Sequence, residues 1–263
     1  MKQKTILESF HPSILPSMSP KHLLLALLFL AITFSACKKT ENNEVILTNP
    51  SLLIKTATQY QDGKVTGTTT YEYDNLGRIA KISYNAGRYE KYNYVSDTLL
   101  FIEAYSNMVH YNTDTLLLNS RGLVAAHHKK TAFEYDSEGF LVKSTTMNYP
   151  ADIKSYEVGE GNVLGYTFHQ FDMGDNSETL SVYTCQYLEN SVNTIGYENM
   201  GISFYGKQSK NLLSKSHLKI IYTDFTREFD AAFSYQFDRY RRVIRQTQDN
   251  SPVSYYTVFT YND

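Results

Sequence analysis

Turn-forming clusters recur about every 8 to 12 residues from residue 52 onward, and this spacing is the feature that most constrains the fold. The segments between the clusters are rich in Thr, Tyr, Ser, Val and Ile, which favour extended strands. No sustained apolar stripe with the 3.6-residue period of a helix interrupts them. The sequence therefore predicts an all-β protein: an antiparallel β-meander of repeated hairpins, about 14 to 18 strands long, that curls into an open spiral sheet or closes into a barrel.

A short pattern recurs within these strands and turns. Its frame is aromatic-x-aromatic-Asp-x-x-(Gly or Arg)-x-aliphatic-x-basic, with complete copies at residues 71–81, 133–143 and 235–245 and a shorter copy at 259–263. Residues two apart on a strand share a face, so each copy places two rings on one face of the sheet and a polar residue on the other. The residues expected to have structural roles are Tyr71, Tyr73, Asp74, Gly77, Phe133, Tyr135, Asp136, Gly139, Tyr235, Phe237, Asp238, Phe259 and Tyr261.

The Asp and the Gly of the frame predict its turn. An Asp side chain accepts hydrogen bonds from backbone N–H groups further along a turn, and a Gly three residues later adopts the positive φ that a tight reversal requires. Arg241 stands at the Gly position of the third copy, so a different turn is expected there.

The first copy, Tyr-x-Tyr-Asp-x-x-Gly-Arg-Ile, resembles the YD (tyrosine-aspartate) repeat of the Rhs family. The chain from residue 37 onward resembles Gram-negative lipoproteins of unknown function with divergent YD-like repeats, which are described as porin-like. This resemblance implies a curling β-sheet and favours a barrel. The large Rhs proteins enclose a toxin cargo, for which this chain is too short. Its strands of about 6 to 9 residues are shorter than the roughly 9 to 11 of a membrane-spanning strand, so we expect a soluble domain tethered to a membrane.

An apolar run at residues 23–34 dominates the N-terminal region. It is too short for a membrane-spanning helix, which needs about 20 residues, and has the length of the apolar part of a signal peptide. The residues that follow it, Ser35-Ala36-Cys37, resemble the end of a bacterial lipobox, in which the cysteine becomes the first mature residue and is acylated. The alternative is a buried helix followed by an ordinary thiol.

These features divide the chain into three parts. Residues 1–36 are expected to form a lipoprotein signal peptide, with translation starting at Met18. Residues 37–51 are expected to form the lipidated Cys37 and a polar tether, and residues 52–263 a YD-repeat-like all-β domain. Cys185 is then the remaining cysteine, so no intramolecular disulfide is expected. It lies in an alternating segment that predicts a strand, where a buried, unreactive thiol is expected rather than a nucleophile.

Motifs for catalysis and cofactor binding are absent from the sequence, which contains no GxSxG, P-loop, GxGxxG, HExxH or CxxC pattern. His127 and His128 are adjacent, and neighbours on an extended strand point to opposite faces, so we expect them not to chelate one ion. Residues 172–178 are acidic, but their spacing does not match an EF-hand loop. No catalytic residue, cofactor or metal ligand is therefore expected.

The charge balance, 25 Lys and Arg against 27 Asp and Glu, disfavours nucleic acid as a partner. The expected partner is the membrane, through acylated Cys37, with lipid, glycan or protein as the candidate ligand. An apolar ligand fits the Tyr-rich and Phe-rich, Trp-free composition better than a sugar does. The function expected is that of a non-enzymatic structural or ligand-binding lipoprotein of the cell envelope, anchored in the outer membrane. The alternative is a hydrolase whose site is not visible in the sequence.

Overall fold

The computed structural model describes residues 52–128, 130–147, 152–172, 177–250 and 253–262. The expected signal peptide, Cys37 and tether lie outside these ranges. Within them, no helix is long and apolar enough to cross a membrane.

Sixteen antiparallel strands in the described part of the chain form a closed barrel. Each strand pairs with its neighbours along the chain, and the last strand pairs with the first. The antiparallel meander predicted from the sequence is thus confirmed, and of the two expected forms the barrel is the one adopted. The strands are β1 (Ile54–Gln61), β2 (Lys64–Tyr73), β3 (Ile79–Ser83), β4 (Arg88–Ser96), β5 (Leu99–Ser106), β6 (Val109–Leu118), β7 (Val124–His127), β8 (Thr131–Tyr135), β9 (Leu141–Thr146), β10 (Asp152–Gly159), β11 (Asn162–Asp172), β12 (Ser177–Val192), β13 (Asn211–Ile221), β14 (Thr226–Phe237), β15 (Val243–Asn250) and β16 (Val253–Tyr261). The expected strand length of about 6 to 9 residues is wrong, since the strands range from 4 residues in β7 to 16 in β12.

The two-residue period of the strands places side chains alternately inside and outside the barrel. Tyr71 and Tyr73 of β2 pack inward against buried side chains, whereas Glu72 between them points outward and pairs with Lys81 of β3 at 2.7 Å. Two further Lys–Glu pairs join neighbouring strands on the outer face, Glu134 with Lys143 at 3.4 Å and Lys219 with Glu228 at 3.2 Å. Two histidines also contact carboxylates there, His217 with Asp230 at 2.9 Å and His169 with Glu178 at 3.4 Å.

One end of the barrel is covered by residues 193–210, which connect β12 to β13 and which we call the capping segment. This segment contains two short 3-10 helices, Tyr197–Met200 and Ser203–Tyr205. Two backbone hydrogen bonds of 2.9 Å join the capping segment to the barrel. The Ile79 N–H donates to the Gly201 carbonyl, and the Lys207 N–H donates to the Gly139 carbonyl. We call this the capped end. At the opposite end, which we call the open end, the described connections are short hairpin turns with exposed residues.

The buried core lies beneath the capping segment. Phe204 of the segment is 3% exposed and packs, with Ile202, against strand residues that include Ile79, Leu100 and Val124. A second cluster lies beside it and comprises Ile54, Ala57, Leu212, Val243, Phe259 and Tyr261. Met200 of the capping segment packs against both clusters. The apolar interior is therefore concentrated at the capped end, and the segment joins its two halves.

Four turns at the capped end share one hydrogen-bonding arrangement. They begin at Asp74, Asn119, Asp136 and Asp238, each after an even-numbered strand, and the ends of these strands lie on the same side of the ring. In each turn, the Oδ1 atom of the first residue accepts a hydrogen bond from the backbone N–H four residues later, at 2.9 to 3.1 Å. The three copies of the frame found in the sequence thus form three of these turns, and residues 119–123 form a fourth turn of the same kind.

The expectation of a different turn at Arg241 is wrong. Arg241 adopts φ 64°, and its N–H donates to the Asp238 carbonyl at 3.0 Å, as Gly77 does to Asp74 in the first copy. A left-handed conformation costs a residue with a side chain about 1 to 2 kcal/mol. The Asp238 carboxylate offsets this cost because it accepts bonds from two backbone N–H groups and from Arg242 Nε at 2.7 Å.

Candidate functional site

The polar groups that qualify as a functional site fall into four groups, three on the inner wall of the barrel and one near its open end. The first lies where β6 meets β7. Asp114 points inward from β6, since it is paired in register with Ile102, a member of the buried cluster. Its Oδ1 lies 2.5 Å from His128 Nε2, and its Oδ2 lies 3.6 Å from His127 Nε2. Burial raises the pKa of Asp114, but hydrogen bonds from His128 and Asn112 and the nearby imidazoles outweigh it and hold the pKa below its ordinary value.

The two histidines of this group lie on the same side of the chain, contrary to expectation. His127 ends β7 in an extended conformation, but His128 has φ 48° and begins the turn to β8. This left-handed conformation brings the two ring centroids to 4.3 Å. The premise that the side chains point to opposite faces is therefore wrong, because it holds only for a continuous strand.

The second group surrounds Glu90 of β4. Its Oε2 accepts hydrogen bonds from the hydroxyls of Tyr84 at 3.1 Å and Tyr92 at 2.9 Å. Burial first, and then the Glu90 carboxylate, raise the pKa values of both tyrosines. These phenols remain protonated donors at neutral pH and do not act as bases.

The third group lies on β10 to β12. The Nζ atom of Lys154 sits 3.6 Å from the ring centre of Tyr166, which stacks on Tyr183 at 5.0 Å. Burial lowers the pKa of Lys154, and burial also raises the pKa of the Cys185 thiol. A thiol with a raised pKa is a poor nucleophile.

The fourth group is a cavity of about 260 Å³ near the open end. Glutamine, threonine and tyrosine side chains of four neighbouring strands provide most of its lining. The lining residues are Gln59, Tyr60, Thr66, Gln246, Gln248, Tyr255, Tyr256 and Thr257. Amide and hydroxyl groups beside aromatic rings bind uncharged polar molecules by hydrogen bonds and stacking.

Two buried tyrosine hydroxyls lack a hydrogen-bond partner among the described residues. They belong to Tyr94, whose ring contacts the Phe204 ring, and to Tyr135, whose ring lies close to Gly206. A buried hydroxyl without a partner costs about 1 to 3 kcal/mol, so these two hydroxyls are candidates for hydrogen bonds to water or to a ligand.

The residues singled out in the sequence occupy the wall and the turns at the capped end. The rings of the frame that contact the two buried clusters are Tyr71, Tyr73, Phe133, Tyr235, Phe259 and Tyr261. Phe237 is 45% exposed. Asp74, Asp136 and Asp238 accept the turn hydrogen bonds, while Gly77 and Gly139 have φ 74° and 99°. Cys37 lies outside the described residues.

Sequence reasoning missed Asp114, Glu90, Lys154 and the capping segment. Each of the three charged residues occupies an inward position of an alternating strand, where a charge is unusual. A charged residue at such a position was the signal in the sequence that could have indicated a functional role. For the capping segment, the signal was Gly196, Gly201 and Gly206, spaced five apart in the longest interval without strand alternation.

Comparison with known proteins gives likeness in structure alone. No protein-family model and no curated protein matches the chain. Among solved structures, a porin-like protein from Bacteroides vulgatus ATCC 8482 matches with a TM-score of 0.56 and 13% identity, over 80% of this chain and 98% of that one. A porin-like protein from Bacteroides uniformis ATCC 8492 matches with a TM-score of 0.54 and 14% identity, over the same shares. At these identities, the similarity shows that the chain shares their fold.

Proposed function

We propose that the chain is a non-enzymatic, lipid-anchored protein of the bacterial cell envelope whose barrel binds a ligand in its interior. The single observation that supports a bound ligand is the pair of buried, unpartnered hydroxyls of Tyr94 and Tyr135 beside the capping segment. The envelope location is supported by the lipobox-like residues before Cys37 and by the fold shared with porin-like proteins of Bacteroides.

The charged side chains on the outer face support a barrel whose wall is exposed to water rather than to lipid. A lipid-facing barrel wall carries a continuous apolar band, and charged side chains within such a band are destabilising. Here Glu72 and Lys81 form an ion pair on the outer face of consecutive strands, and Glu134 and Lys143 repeat the arrangement. The anchor is therefore assigned to the lipid on Cys37 and not to the wall.

The inner face supports an apolar ligand with a polar group, such as a single-chain lipid. Half-buried rings that include Tyr92, Phe133 and Tyr156 would contact its apolar part. The Tyr94 and Tyr135 hydroxyls would bind its polar group. A glycan is the second candidate, because the glutamine-lined cavity near the open end offers amide and hydroxyl partners.

Lysophosphatidylcholine below its micelle concentration is the probe for the first candidate, and a panel of oligosaccharides is the probe for the second. We expect the lipid to raise the melting temperature of the wild type. Tyr94→Phe and Tyr135→Phe should each leave the melting temperature of the free protein unchanged or raise it, because each removes an unpartnered hydroxyl. Both variants should reduce the lipid-induced shift by more than half.

Tyr73→Phe is the matched control, because the Tyr73 hydroxyl donates a hydrogen bond to the Ile54 carbonyl. This variant should lower the melting temperature of the free protein and keep the lipid-induced shift. Equal lipid-induced shifts in Tyr94→Phe, Tyr135→Phe and the wild type would exclude the proposed contacts. Turnover of an ester, glycoside or peptide that a single substitution abolishes would favour the hydrolase.

The lipid anchor has its own test, in cells of a Gram-negative host. We expect the wild type in the membrane fraction, with an intact mass that begins at an acylated Cys37. Cys37→Ala should move the protein to the soluble fraction, whereas Cys185→Ala, which changes the other cysteine, should leave it in the membrane. Membrane retention of Cys37→Ala would contradict the anchor.

A further inference from the structure

The group of Asp114, His127 and His128 has a geometry that neither the turns nor the core requires. One ligand atom from each residue can be chosen so that all three lie within 4.8 Å of one another. Two belong to imidazoles and one to a carboxylate, which is the donor set of many zinc sites.

His127 provides an independent observation. Its Nε2 atom is buried and has no hydrogen-bond partner among the described residues. The Asp114 Oδ2 atom is 3.6 Å from it, beyond hydrogen-bonding distance. A buried imidazole nitrogen that lies close to a carboxylate oxygen and has no hydrogen-bond partner has the position of a metal ligand.

The local backbone produces this convergence. His127 is the last residue of β7 and faces inward, since it is paired in register with the buried Leu116. The left-handed φ of His128 turns its ring to the same side, so adjacent residues present two nitrogens to one carboxylate. Asn112 donates a hydrogen bond to Asp114 Oδ1 at 2.8 Å, and hydrogen bonds of this kind from outer-shell partners orient the ligands of metal sites.

We propose that Asp114, His127 and His128 bind a divalent transition-metal ion of the zinc class on the inner wall of the barrel. Bonds of about 2.0 to 2.1 Å to a tetrahedral ion separate neighbouring ligand atoms by about 3.3 Å. The 3.6 Å between Asp114 Oδ2 and His127 Nε2 is close to this value, so Oδ2 is the carboxylate ligand atom. The His128 Nε2 atom lies 2.5 Å from the other oxygen, Oδ1, and must leave that hydrogen bond to bind the same ion. A small rotation of the partly exposed His128 ring provides this change. Calcium and magnesium do not fit, because they favour six or more oxygen ligands.

Zinc binding by the chain without a histidine tag is the test, measured by competition with a chromogenic chelator. We expect one Zn²⁺ per chain, and no competition from Ca²⁺ or Mg²⁺. His127→Gln and Asp114→Asn should each weaken zinc binding by more than the roughly 10- to 100-fold that loss of an outer-shell contact causes, and Asn112→Ala should fall within that range. Cobalt should give visible absorption bands of a four-coordinate site in the wild type, and these bands should be lost in His127→Gln.

His217→Gln is the matched control, because it removes a histidine of the same kind of His–Asp pair from the outer face. This variant should bind zinc like the wild type. Thermal melts of the metal-free variants show whether each one folds. Unchanged zinc affinity in folded His127→Gln and Asp114→Asn, or an equal loss in His217→Gln, would overturn the assignment. The outcome does not depend on the lipid experiment, because Tyr94 and Tyr135 are not among the three ligands.

Discussion

Gly206→Ala is expected to lower the free energy of unfolding by about 3 kcal/mol or more. Gly206 has φ 88° and ψ −178°, a backbone conformation essentially restricted to glycine. A Cβ atom at this position would lie 2.6 Å from the Gly139 carbonyl oxygen and 2.7 Å from Tyr135 Cε1. Because the closest of these atoms belongs to the backbone, the capping segment would have to move away from the turn after β8.

Gly63→Ala is the control for this substitution. Gly63 also has a positive φ, 77°, but a Cβ atom there meets no other atom within 4 Å. The control should therefore cost only the conformational term, about 1 to 2 kcal/mol. Urea denaturation of both variants measures the difference. Equal losses would mean that Gly206 is required for its backbone conformation alone and that the close contact with Gly139 is unimportant.

Phe204→Ala is expected to lower the free energy of unfolding by about 3 to 5 kcal/mol. The Phe204 ring is 3% exposed and lies between the capping segment and the strands, with Tyr92 and Tyr94 at ring-centre distances of 6.2 and 6.5 Å. Its removal leaves a cavity where the segment meets the wall. Denaturant unfolding gives the total cost. Amide hydrogen exchange at Ile202 and Lys207 shows whether the segment detaches before the barrel unfolds.

Phe229→Ala is the matched control, because Phe229 is 52% exposed on β14. We expect a loss of about 1 kcal/mol or less there. A similar loss in both variants would show that Phe204 is not an anchor of the segment.

The strands and the turns could be predicted because their causes are local. The alternation of Tyr71, Glu72 and Tyr73 determines which side chains face inward, and this holds whichever strands pair with β2. Asp74, Asp136 and Asp238 bond N–H groups within four residues of themselves. Arg241 shows the limit of this reasoning, since a side chain can occupy a left-handed position when the neighbouring Asp238 stabilises the turn.

The capping segment and the Asp114 group could not be predicted because their causes are remote. Nothing near Phe204 in the sequence indicates that it packs beside Leu100, which lies about 100 residues earlier. His127 and His128 meet Asp114 across a strand pair whose register follows from the turn at Asn119. His128 adopts its left-handed φ in the turn of the next hairpin. A single sequence specifies neither register nor a left-handed histidine.

Because β1 pairs with β16, the barrel can close only after the last strand has formed. The Thr56 and Thr260 hydroxyls lie 2.7 Å apart although 204 positions separate them, whereas every other strand pair joins consecutive strands. In a chain that folded from its N-terminus, one edge of β1 would stay unpaired until β16 formed. Unpaired strand edges recruit other chains, and polar or charged side chains limit this. The β1 strand contains Lys55, two Thr and two Gln, and we expect this polar composition to limit pairing with other chains until β16 completes the ring.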